Sequence, residues 1–137
     1  MFGSLDISTS ALTAQRTNLD VIAGNVANMF TTRGLGGEPY RRRFAVFAEG
    51  DPRAGKGSTG VHVSRIERDS APFRKEYNPS HPDAIRSGPD KGYVLMPNVD
   101  ISTEMVNAMT AARAYEANVT VIEITKSMAS ASLRLLA

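Results

Sequence analysis

RAYEANVTVIEITKSMASASLRLLA, residues 113–137, carries apolar side chains at helical spacing, while the positions between them hold almost no charge. Extended back to Ile101, the pattern steps by four and three through Met105, Ala108, Ala112, Tyr115, Val119, Ile122, Lys126, Ala129, Leu133 and Leu136. Lys126 is its one polar interruption. Such a stripe is the seam of a helix built to lie along another helix. Pro97 precedes the stretch, and no glycine or proline interrupts it afterwards, so a helix is predicted within 98–137. Ser102 is placed to cap its first amides, Glu104 to meet its dipole, and Ile101 to staple onto Val106.

The positions off this seam are filled by small residues: Ala111, Ala114, Ala117, Ser127, Ser130, Ala131 and Ser132. Only seven of the forty residues in 98–137 are charged, and only three of the twenty-six in 4–29. Alanine favours helix whatever surrounds it, but helix propensity does not remove charge from two helices at once. A helix exposed on one side normally carries Lys and Glu there. The composition predicts helices packed on several sides by other subunits.

At the other end, Leu5, Leu12, Leu19 and Val26 repeat every seven residues, with Ile22 and Met29 on the same stripe. This reads as a first helix from about Ser4 to Asn28. Gly24 costs about 1 kcal/mol relative to alanine and marks a place for a kink or an early end. The run TTRGLGGEP then stops any helix. The expected fold is mainly α with a small β region. Its N- and C-terminal helices form an antiparallel coiled-coil-like pair around an irregular, β-rich middle. Roughly ten residues of the longer helix, Leu133 and Leu136 among them, then extend past the shorter one.

The middle has a different character. All seven prolines lie between Pro39 and Pro97, and nine of the eleven glycines between Gly34 and Gly92. Residues 40–91 hold eleven basic and seven acidic side chains, a net of +4, whereas 1–39 and 92–137 each come to −1. Strands are predicted over 40–47, 60–67 and 92–97, separated by the loops EGDPRAGKGSTG and YNPSHPDAIRSGPDKG. The segments are therefore 1–33, an assembly helix; 34–97, a β and loop domain; and 98–137, a second assembly helix.

Enzymatic patterns are missing. GLGG is followed by Glu-Pro rather than by Lys and Ser/Thr, so it is a turn and not a phosphate loop. His62 and His81 have no carboxylate at ligand spacing, and no acid–base pair stands out. The chain has no cysteine, which removes disulfides, thiolate metal sites and a thiol nucleophile. No cofactor or metal is expected. The basic run Tyr40–Arg43 suggests nucleic acid at first sight. Glu49, Asp51, Glu67 and Asp69 stand close by and no aromatic-interleaved RNA-binding motif accompanies it, so a solvated strand edge or a contact to an acidic protein surface is the better reading. No apolar run is long enough to span a membrane, and the N-terminal residues lack a secretory pattern.

SALTAQRTNLDVIAGNVAN, followed by TTR and GGEPYRRRFAVF, resembles the N-terminus of flagellar basal-body rod proteins. GYVLMPNVDISTEMVNAMTAARAYEANVTVIEITKSMASASLRLLA resembles the C-terminus of the proximal-rod member of that family. The resemblance implies a non-enzymatic structural subunit of the bacterial flagellum. Such subunits pass unfolded through the type III export apparatus, without a cleaved signal peptide, and assemble in the periplasm with copies of themselves and other rod subunits. By position it marks Asn25 and Asn28 in the first helix, with Gly24 standing where the family has asparagine. In the second it marks Arg113, Tyr115, Glu116, Ala117 and Asn118. Of these, Asn25, Asn28, Tyr115, Ala117 and Asn118, together with the seam residues Leu5, Leu12, Leu19, Ile22, Val26, Met105, Ala112, Val119, Ile122, Ala129, Leu133 and Leu136, and with Ser130, make up the expected subunit interface. Another axial subunit of the same family is the nearest alternative; a basic helical nucleic-acid-binding or adaptor module is the remote one.

Overall fold

A computed structural model describes residues 2–34, 36–50 and 59–136, with side chains described only between 3 and 134. Two long helices enclose two small sheets in sequence. Helix α1 spans Phe2–Ala27 and helix α2 spans Ile101–Leu136. At 1.5 Å per residue their lengths are about 39 and about 54 Å. Helix α1 runs through Gly24 without ending there, and the Asn28 side chain donates to the Gly24 carbonyl at 2.9 Å.

Strand β1 (Arg43–Glu49) pairs antiparallel with β2 (Val61–Arg68), and β3 (Arg74–Tyr77) pairs antiparallel with β4 (Tyr93–Met96). Three of these strands stand where alternation predicted them. The loop expected between β1 and β2 lies largely outside the described residues. Strand β3 was not anticipated, because three of the four side chains of RKEY are charged and all four are exposed, so it carries no period-two signal. It is held by its ladder and by an edge-on contact of Tyr77 with Tyr93, ring centroids 5.3 Å apart.

The first hairpin sits against α1. Gly60 has φ of 114°, and a Cβ there would come within 2.6 Å of the Ser10 hydroxyl. That close approach lets the Val61 amide donate to Ser10 Oγ at 3.0 Å, which seats the start of β2 on the helix. The deepest apolar residues are Val94 and Met96 of β4, Val99 just after it, Ala14 and Ile22 of α1, and Ala111 of α2. The core therefore lies where the strand-to-helix lead-in crosses the two helices.

Helix α2 starts differently from expectation. Asp100, not Ser102, is the cap: its carboxylate accepts from the Thr103 amide at 2.9 Å and the Thr103 hydroxyl at 2.6 Å. Ile101 and Val106 are both exposed rather than stapled, and the buried apolar side chain at this entry is Val99. The face of α2 turned to the chain also differs. Ala108, Tyr115, Ile122 and Ala129 are half-buried as the spacing predicted, but Met105, Lys126 and Leu133 are exposed while Glu104 and Ala111 are buried. One position is about 100° of rotation. Apolarity chose Met105 because the neighbouring buried position is a carboxylate.

Candidate assembly site

That carboxylate belongs to a polar hub joining all parts of the chain. The last turns of α1 deliver Asn25, which is fully buried. Its side-chain amide donates to the Arg43 carbonyl at 2.7 Å and to Glu104 Oε2 at 2.9 Å. Its oxygen accepts from the Arg43 amide at 2.9 Å and from the Tyr40 hydroxyl at 3.0 Å. Every donor and acceptor of this asparagine is used, which is what burial of a primary amide requires.

Glu104, also fully buried, takes a 2.6 Å bond from Arg42 Nε on its other oxygen. Arg42 reaches towards Asp69 as well, its backbone amide donates to Asn98 Oδ1 at 2.8 Å, and its carbonyl accepts from the Asp69 amide at 2.8 Å. Burial works against the charged guanidinium, but the hydrogen bonds and charges of Glu104 and then Asp69 together outweigh it and raise the Arg42 pKa. Burial also raises the pKa of Tyr40; the Arg43 charge opposes this and the Glu104 charge adds to it. Both groups keep their ordinary neutral-pH forms.

Tyr40–Arg43 is therefore neither a solvated strand edge nor a surface laid out for an acidic partner, apart from the exposed Arg43 side chain. Arg41 lies over the Phe73 ring, 4.2 Å from its centroid, and donates to the Ala71 carbonyl at 3.3 Å. Three side chains of the run serve the chain's own packing. The sequence signal for this was Asn25 itself, a polar residue inside an apolar stripe, but nothing local named its partners.

Beside the hub, α1, α2 and β1 leave an open groove of about 310 Å³ lined by Gln15, Asn18, Ile22, Phe44, Phe47, Asn107 and Ala114, among others. Of the expected interface residues, Ile22 and Asn25 are buried in the chain, and Leu5, Leu12, Leu19, Val26, Asn28, Ala112, Tyr115, Asn118, Val119, Ile122 and Ala129 are half-buried. Met105, Ala117, Ser130 and Leu133 are exposed; Leu136 lies beyond the described side chains. Missing from that expectation was a second stripe on the outer face of α2. Val106, Met109, Val121, Ile124 and Met128 are all between 44% and 59% exposed among the described residues.

The histidines have local roles: His62 contacts the Gly50 carbonyl through Nδ1 at 2.7 Å, and His81 accepts from the Asp83 amide at 3.1 Å. Among the described residues no cluster of His, Asp and Glu is arranged to hold a metal. No described helix is long and apolar enough to cross a membrane.

Residues 5–33 match the family described as flagella basal body rod protein, and residues 90–135 match the flagellar basal body rod FlgEFG protein C-terminal family. The chain is 44% identical to the flagellar basal-body rod protein FlgC of Borreliella burgdorferi, over 99% of its own length and 97% of the relative's. The chain belongs to the FlgC family of flagellar basal-body rod proteins. Against FlgC of Bacillus subtilis the identity is 41%, over 98% and 97% of the two chains, and against FlgC of Yersinia enterocolitica 44%, over 95% and 93%. It is a structural rod subunit of the flagellar basal body, not an enzyme, and it assembles with other rod proteins. The two matched family segments cover nearly all of both helices, including Asn25 at one end of the hub and Glu104 at the other.

Proposed function

We propose that this rod subunit builds the proximal rod through its terminal helices, forming part of the shaft that carries torque outward. The observation that carries this reading is that α2 is apolar on two opposite faces, of which the described residues cover one. Free in water, the outer stripe is a liability; its side chains are about half exposed, so each contributes roughly half of the about 1.5–3 kcal/mol of full burial when a neighbour covers it.

The segments 1–33, 34–97 and 98–137 then act as an assembly helix, a β-rich body and a second assembly helix. An antiparallel, coiled-coil-like helix pair is supported by the hub, where the end of α1 meets the start of α2, and by the groove, which Ile22 lines with Asn107 and Gln15 with Ala114. In that register the twenty-three residues from Asn25 back to Phe2 reach α2 at about residue 127. Beyond it lie Ser130 and Leu133, facing neighbouring subunits together with Met105 and Ala117; Leu136 follows them in the sequence. The hub ties the β-rich body to the helix pair, so load taken by the helices is shared with it. Passage through the flagellar type III export apparatus in an unfolded form and a periplasmic position between the membrane-embedded ring and the distal rod complete this reading.

Imaging purified basal bodies with the subunit labelled in the β-rich body tests it. Label is expected in the rod next to the membrane-embedded ring. Label confined to the distal rod or the hook would contradict the proximal assignment.

A further inference from the structure

Three of the chain's six methionines lie on α2, and all three are exposed. Met105, Met109 and Met128 are 59%, 55% and 59% exposed, whereas Met96 of β4 is 8% exposed. Met105 and Met109 stand one turn apart and are neighbours on the helix surface. Met109 and Met128 belong to the outer stripe, where leucine or isoleucine would present comparable apolar surface. What methionine adds is a polarizable thioether sulfur, which peroxides oxidise where they can reach it. The hydroxyls one turn to either side of Met128 are already committed. Thr125 donates to the Val121 carbonyl at 2.8 Å, and Ser132 to the Met128 carbonyl at 3.0 Å.

We propose that Met105, Met109 and Met128 form a reversible oxidation site, and that the free subunit joins the rod only while their sulfurs are reduced. The second half rests on the rod reading, in which a neighbour buries the outer stripe. The oxidant is hydrogen peroxide or an organic peroxide. The sulfur lone pair attacks one peroxide oxygen, so that an S–O bond forms as the O–O bond breaks. The other oxygen leaves with the electron pair of the O–O bond and takes the proton of the transferred hydroxyl, departing as water or an alcohol. Sulfur loses two electrons and the peroxide gains them. The product sulfoxide is an uncharged polar group with an acceptor oxygen. In an apolar contact that oxygen is buried without a donor, and the committed hydroxyls beside Met128 do not supply one. A sulfoxide reductase restores the thioether while the face is open, and assembly closes the face to oxidant and reductase alike.

Hydrogen peroxide applied to the purified full-length subunit, and separately to purified basal bodies, tests this, with oxidation at each methionine read by peptide mass spectrometry. In the free subunit the three α2 methionines should oxidise on the order of tenfold faster than Met96. In basal bodies they should slow to about the Met96 rate. Equal rates in the free subunit overturn the site, and undiminished oxidation in completed rods overturns its closure by assembly. In cells, a variant carrying Met105→Gln, Met109→Gln and Met128→Gln holds an uncharged polar group at each position permanently. It should complete rods about tenfold less often than the variant with leucine at the same three positions, at equal secretion. Equal rod frequencies in the two variants overturn the control of assembly. A subunit that never enters the basal body overturns the rod reading, and with it that control, while selective oxidation of the free chain still upholds the site.

Discussion

Arg42 and Glu104 meet across sixty-two residues of chain, and the pair is mostly hidden from water. Removing one member of a buried ion pair strands the other, so Arg42→Ala should lower the stability of the isolated chain by about 3–5 kcal/mol. Arg65→Ala removes an ion pair whose arginine is 65% exposed, and should change stability by less than about 1 kcal/mol. Urea titration followed by far-ultraviolet circular dichroism separates the two; equal effects would show that the hub has no special weight. Asn25→Asp is sharper still. It is nearly isosteric, but it replaces two donors with a carboxylate facing Glu104, and should destabilise more than Asn25→Ala. Asp100 supplies the pH dependence. Hydrogen bonds from the Thr103 hydroxyl and amide hold its carboxyl below the ordinary value of 3.8. Its contribution is therefore complete above that value and is lost as pH falls through the lower folded one. Asp100→Asn should flatten the loss of helix signal in acid, measured by circular dichroism; an unchanged acid profile would assign that loss to other carboxylates.

Among the elements, α2 was the most legible: unbroken four-and-three spacing, with no glycine or proline after Pro97, predicted nearly its whole length. The face it turns inward was read one position off at its start, because periodicity scores apolar residues and the inward side there holds Glu104. Strand β3 left no signal, and the hub could not be read, since its bonds span fifteen to seventy-nine residues. Burial of uncharged Asn is locally indistinguishable from a solvated one. Helix α1 offers a direct test of its own. Gly24 lies inside the helix with nothing within 4 Å of where a Cβ would stand. Gly24→Ala should therefore stabilise the isolated chain by about 1 kcal/mol, raising its urea midpoint. A lowered midpoint would mean that the helix bends or packs at Gly24 in solution.

At the scale of the whole molecule, the chain folds around a polar hub and a small core, and among the described residues the outer apolar stripe of its longest helix stays exposed. The helix pair, the outer stripe and membership of a rod family point the same way: the covered face makes the subunit, and the uncovered face makes the rod. That separation of faces is the central claim. It is tested most directly by imaging basal bodies from cells whose only copy of the subunit carries Ile124→Glu and Met128→Glu, with secretion of the subunit measured alongside. Both residues are more than half exposed in the isolated chain, so its folding should be unaffected. In a packed contact each new carboxylate is buried without a partner, at a cost of several kcal/mol per subunit. The account predicts a subunit that is made and exported at normal levels, basal bodies that stop before the rod is complete, and cells that do not swim. Complete rods and normal swimming with both carboxylates in place would contradict it, and would show that the outer stripe of α2 faces water.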